Sequence, residues 1–152
     1  MAPAEAEFWL SRNLKESLGL PDQAREWLMA LWNVVQVFDD MADGDHPERD
    51  KLDTAIYDAL VGLPNNGFFV QNRAILLPLL SVAILKWKAS DEAERAGNPS
   101  AMSFVWRAGF YDVVLAVVQI VHGTDAAMQI AVNVMSLYGE TLPDYMQEFG
   151  NA

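Results

Sequence analysis

The chain predicts an all-α fold, a single-domain bundle of about six or seven helices. Apolar residues recur at i, i+3, i+4, i+7 in most segments, the spacing of a buried helical face. Glycines and prolines fall between those segments, where helices stop and start. Several Ser, Thr and Asp residues stand where they would cap a helix. With 152 residues, 52% of them hydrophobic, there is enough material for one folded core.

The first helix is expected over residues 5–18, with Phe8, Trp9 and Leu14 inward, stopped by Gly19. Pro21 opens a second helix from Asp22 to about Asp43. Its inward stripe is Ala24, Trp27, Leu28, Leu31, Val34, Val35, Phe38, Met41 and Ala42. Asp45-His-Pro-Glu48 reads as a capping box for a third helix to about Val61, with Leu52, Ala55, Ile56, Ala59 and Leu60 inward. Gly62-Leu-Pro-Asn-Asn-Gly67 reads as the main loop. A long helical region from Phe68 to Arg95 should kink or divide at Pro78. Its second half places Leu80, Ala83, Ile84 and Trp87 inward. Asp91 and Glu94 continue that face, with a frayed polar end as the simpler account.

Ser100 to Val121 is apolar almost all round, as a central core helix would be. Arg107, Asp112, Gln119 and His122 interrupt it. A buried carboxylate needs a partner, so Asp112 requires Arg73, Arg107, hydrogen bonds or a cation. Gly123 ends the helix, and Thr124 or Asp125 caps the next, which runs to about Gly139. That helix leaves a polar stripe of Gln129, Asn133, Ser136 and Glu140, either a face toward water or a row of oxygen ligands. Thr141-Leu-Pro-Asp144 caps a short last helix.

One stretch runs against the usual electrostatics. The second helix ends in Asp39, Asp40, Asp43 and Asp45, four aspartates within seven residues. Like charges at i, i+4 repel, and anions at a helix C-terminus oppose its dipole. A hard cation such as Mg²⁺ would reverse both penalties. A solvated acidic cap is the alternative.

Asp39-Asp-Met-Ala-Asp43 resembles the DDxxD motif of class I isoprenoid synthases, and Asn133-Val-Met-Ser136-Leu-Tyr-Gly-Glu140 resembles their NxxSxxxE motif. The resemblance implies Asp39 and Asp43 on one wall of a helical cavity and Asn133, Ser136 and Glu140 on the other. Together they would hold Mg²⁺ against a substrate diphosphate. Asp39/Asp43 with Asp91/Glu94 is also similar to the four-carboxylate sites of MazG-like nucleotide pyrophosphatases. The whole chain resembles small all-α proteins encoded by tailed phages.

There are no cysteines, so disulfides and thiolate metal sites are excluded. The net charge of -11 disfavours nucleic acid and anionic membrane surfaces. The longest apolar run, 74–85, is too short to cross a bilayer. Met1-Ala-Pro-Ala-Glu5 lacks the pattern of a signal peptide, so a cytoplasmic protein is expected.

Two functions follow as expectations. In one, a helical protein binds Mg²⁺ through Asp39, Asp43, Asp112, Asn133, Ser136 and Glu140, and acts on a phosphate or diphosphate compound touched by Arg107. In the other, a non-enzymatic acidic protein binds a basic partner. A homodimer is a further expectation, from the abundance of apolar surface.

Overall fold

The computed structural model describes residues 3–150, which form helices and no strand. The helices are α1 (Pro3–Arg12), α2 (Asp22–Ala42), α3 (Arg49–Tyr57), α4 (Leu63–Asn65), α5 (Gly67–Arg95), α6 (Ala101–Trp106), α7 (Gly109–His122), α8 (Thr124–Met135) and α9 (Leu142–Glu148). A π-helical turn, Asn13–Ser17, extends α1, and another, Asp58–Gly62, joins α3 to α4. Counting α3 and α4 as one rod gives eight helices among the described residues. The described residues up to Arg73 form one compact unit, and those from Ala74 form a second.

In the first unit the inward face of α1 is a leucine ladder, Leu10 and Leu14, followed by buried Leu18. These sit at i, i+4 and i+8 and displace the expected Phe8 and Trp9, which are exposed. The two rings pack edge to face at 5.5 Å, and the Arg12 guanidinium lies over Trp9. On α2, Ala24, Trp27, Leu28, Leu31, Val34 and Val37 are buried. Trp27 stacks on Phe69 at 5.4 Å, nearly parallel. Val34 and Val37 pack on Ala55, with Leu52, Ala59 and Leu63 around them.

The expected inward residues Ile56 and Leu60 are exposed. The face that meets α2 is Leu52, Ala55, Ala59 and Leu63, one position to the side of Ile56 and Leu60. Leu63 N–H reaches back five residues to the Asp58 carbonyl, and the wider turn carries Leu63 into the core. The stretch expected as the main loop is correspondingly short. Pro64 lies in the first turn of α4, where its missing N–H costs nothing. Only Asn66 is extended. Its carboxamide accepts the Phe69 N–H at 3.1 Å and donates to the Gln23 carbonyl at 3.1 Å, capping α5 and tying it to α2.

The capping box expected at Asp45–Glu48 does not form. The N-cap position falls three residues later, on Glu48, with no side-chain cap. Nor does α5 break at Pro78. Its non-helical residue is Asn72 (φ -117°, ψ 18°), whose side chain donates to the Phe68 carbonyl at 2.8 Å. Pro78 and Ala74 are both exposed, so water can take the carbonyl that Pro78 leaves without a donor. The resulting 29-residue helix is, by length and composition, long and apolar enough to cross a membrane.

In the second unit α7 is the central helix, with Val113, Val114, Val117 and Val118 fully buried. Gly123 turns the chain so that α8 packs back along α7. It takes the N-cap position of α8 itself, while the Thr124 hydroxyl accepts from Gln119 at 3.2 Å. The single helix expected over 100–121 is divided after Trp106. Ser100 and Ser103 form a capping box for α6. The next helix begins at Gly109, where a Cβ would lie 3.0 Å from Ala83 Cβ and 3.1 Å from Ala83 Cα.

That contact makes a prediction. Alanine would gain up to about 1 kcal/mol of helix propensity at position 109. The backbone of Ala83 cannot give way as a flexible side chain could, and overpacking costs about 1–3 kcal/mol. Gly109→Ala should therefore lower stability by about 1–2 kcal/mol net in urea titration. A variant as stable as the parent would mean that α5 and α7 separate freely.

Candidate functional site

The acidic end of α2 closes as a glycine-capped helix. Asp45 N–H bonds the Asp40 carbonyl at 2.9 Å and Gly44 N–H bonds Met41 at 3.2 Å, with Gly44 at φ +85°. This is a Schellman arrangement, and it satisfies carbonyls that the aspartate side chains cannot. Asp39 is half-buried, while Asp40, Asp43 and Asp45 are exposed. Partial burial, and then the neighbouring Asp39 and Asp45 carboxylates, push the Asp40 carboxyl above its usual value. Open space surrounds Gly44, so Gly44→Ala meets only backbone strain. It should lower stability by about 1 kcal/mol, read as a fall in Tm.

The second unit holds a polar cluster around Glu94 and Arg107. Glu94 Oε1 accepts from the Ser90 hydroxyl at 3.0 Å and the Tyr145 hydroxyl at 3.0 Å. The Ser103 carbonyl lies 2.8 Å from the same Ser90 hydroxyl, whose one proton is shared between it and Glu94, and the Ser103 and Tyr145 hydroxyls share a 2.7 Å bond. Arg107 Nη1 faces three carboxylates, Glu94 at 3.7 Å, Glu148 at 3.7 Å and Glu140 at 3.9 Å. Its guanidinium lies 5.1 Å from the centre of the Tyr145 ring. Glu140 in turn accepts from the Tyr138 hydroxyl at 2.7 Å. Phe104 packs between the rings of Tyr138 and Tyr145.

This cluster can fasten helices together. Ser90, Ser103 and Tyr145 are buried, and a hydroxyl nucleophile must meet its substrate. Their bonds link the end of α5, α6 and α9, and the rings of Phe104, Tyr138 and Tyr145 pack beside them. Burial pushes the Tyr145 hydroxyl pKa up, as the low-dielectric setting of the cluster requires.

The residues expected at a metal site divide between the two units of the chain. Asp39 and Asp43 lie in the first unit; Asp112, Asn133, Ser136 and Glu140 lie in the second. Asp112, in the first turn of α7, pairs with Lys86 Nζ at 2.6 Å, so its partner is neither Arg73 nor Arg107. Asn133 is exposed, and the exposed Ser136 hydroxyl donates to the Val132 carbonyl of its own helix at 2.7 Å. Glu140 lies beyond the end of α8, engaged with Tyr138 and Arg107. Gln129, Asn133 and Ser136 thus read as a face toward water. Among the described residues, no three His, Asp or Glu side chains are grouped so that they could hold a metal ion.

Arg107, expected to touch phosphate, is directed at carboxylates that an anion would have to displace. Asp91 pairs with Arg95 at 2.9 Å, and Glu94 is the hub of the cluster rather than part of a frayed end. Sequence reasoning missed Ser90, Ser103 and Tyr145. A signal existed in Ser90, which stands three residues after Trp87 and four before Glu94 on the same inward face. No protein family, characterised protein or solved structure matches this chain.

Proposed function

We propose that this is a non-enzymatic, acidic interaction protein that binds a basic partner. The observation that carries the reading is a surface at once apolar and acidic. Val35, Phe38 and Met41 of α2 and Ile56 and Tyr57 of α3 are exposed, and the segment from Asp39 to Asp58, which joins the two helices and includes part of this set, holds eight carboxylates against Arg49 and Lys51. Exposed apolar residues gathered beside charge of one sign suit association. The buried polar groups of the second unit are engaged in fastening helices, which suits a scaffold better than a catalyst.

The test is calorimetric titration with polylysine and with a compact basic protein, each at low and high salt. The expected result is saturable binding that weakens as salt screens it. Absence of binding to either cation at low salt sinks the reading.

A second reading keeps a Mg²⁺ site at Asp39 and Asp43, with a phosphate or diphosphate compound as ligand. The observation that favours it is the run of Asp39, Asp40, Asp43 and Asp45 at one helix end; after partial burial, the Asp39 and Asp45 carboxylates contribute to raising the Asp40 carboxyl. It requires a saturable rise in Tm with Mg²⁺, lost in Asp39→Asn with Asp43→Asn. Melting that ignores the cation, or a variant that melts higher from relieved repulsion, removes this reading.

A further inference from the structure

We infer that the exposed stripe Val35, Phe38 and Met41, with Ile56 and Leu60 beside it, is the docking surface for a basic amphipathic helix of a partner protein. The inference rests on the interaction reading above and adds a place and a class of partner. The three α2 residues are 37%, 47% and 50% exposed at i, i+3 and i+6; Ile56 and Leu60 are 47% and 75% exposed at i, i+4. Both stripes belong to one packed layer, because the neighbouring Val34 and Val37 of α2 meet Ala55, Leu52 and Ala59. An α2 stripe of this spacing runs about 9 Å along the helix, which suits two successive anchors of a helix laid against it.

Charge selects the occupant. Asp40, Asp43 and Asp45 are exposed at and just beyond the C-terminal end of the α2 stripe, and Glu48, Asp50 and Asp53 are exposed at the start of α3, against exposed Arg49 and Lys51. A second copy would bring the same acids against themselves. Nucleic acid and anionic lipid are repelled on the same ground. A small cation would satisfy the carboxylates and leave Phe38 and Met41 in water. A helix with Leu on one face and Lys or Arg along its edges covers the apolar stripe and brings cations to the exposed carboxylates of the same two helices.

The experiment uses the full chain and a labelled Leu/Lys amphipathic peptide of about 18 residues, roughly five turns. Fluorescence anisotropy should show saturable binding, weakened at least tenfold in Phe38→Asp. The α5 variant Leu85→Asp, exposed at 64% in the second unit, should bind as the parent does. Circular dichroism checks that both variants fold. Equal affinity for the parent and Phe38→Asp overturns the inference, and so does binding lost only in Leu85→Asp. Self-association seen by light scattering and abolished by Phe38→Asp assigns the surface to a second copy and overturns it too. Polylysine binding without peptide binding removes this surface and leaves the broader reading standing; failure of both removes both.

Discussion

Arg107→Met should destabilise the protein by about 2–3 kcal/mol, seen as a lower urea midpoint. Breaking a fully buried ion pair from one side costs about 3–5 kcal/mol. Arg107 is 21% exposed, Glu94 16% and Glu140 28%, so solvent screening brings the cost to the bottom of that range and below it. Glu148 is 59% exposed and can turn to solvent; Glu94 cannot, because Ser90 and Tyr145 hold it. The charge left uncompensated is therefore chiefly that of Glu94. Adding Glu94→Gln should recover part of the loss, since the glutamine carbonyl still accepts both hydroxyls without the charge. Purely additive effects of the two substitutions would show that Arg107 does not act through Glu94. If Arg107 instead serves a phosphate ligand, phosphate should raise Tm in the parent and the Met variant should lose that rise.

The helices were legible because each required signal is local. Apolar spacing, Pro21 before α2, Gly19 and Gly123 at turns, and Thr141 capping α9 act within a few residues. Thr141 Oγ1 accepts the Asp144 N–H at 3.3 Å, as the capping pattern implies. The faces of those helices were less legible. Of the stripe read through 52, 55, 56, 59 and 60, the core takes Leu52, Ala55 and Ala59 and leaves Ile56 and Leu60 on the exposed flank, because α2 meets the helix only along the narrower line that ends at Leu63. Near the end of α2 the stripe also moves, from Val35 and Phe38 to Val37, because Ala55 and Leu63 lie on that side.

The same division holds for the candidate site. Polar residues on an oily helix announced that they needed partners, and Arg107 and Asp112 both have them. Which partners they took depended on helices distant in sequence. Asp112 met Lys86, 26 residues away, and Glu94 met Tyr145, 51 residues away. Spacing within one helix cannot choose between Arg73, Lys86 and Arg107, because each lies within side-chain reach of some plausible packing. The motif pairing of Asp39 and Asp43 with Asn133, Ser136 and Glu140 presupposed two facing helices. Ser136 bonds its own backbone, and Glu140 lies past the end of α8, where it accepts from Tyr138.

The second unit should also lose stability as the pH rises from about 10 to 12. An ordinary tyrosine releases its proton near pH 10 in the unfolded chain. In the fold, burial pushes the Tyr111 hydroxyl up to about 12. Burial, then the bond to Glu140, raises Tyr138 as well, and burial raises Tyr145. Across that window the unfolded chain binds fewer protons than the fold, so alkali favours unfolding. Below pH 10 both states keep the protons and the contribution to stability is intact. Tyr111 alone accounts for up to about 2–3 kcal/mol by pH 12. Tyrosinate absorbance should therefore rise together with the change in Trp87 and Trp106 fluorescence. In Tyr111→Phe the loss between pH 10 and 12 should shrink by about that amount. An unchanged alkaline transition in this variant would place the lability elsewhere, because the phenol whose burial opposes ionisation would be gone and the response would remain.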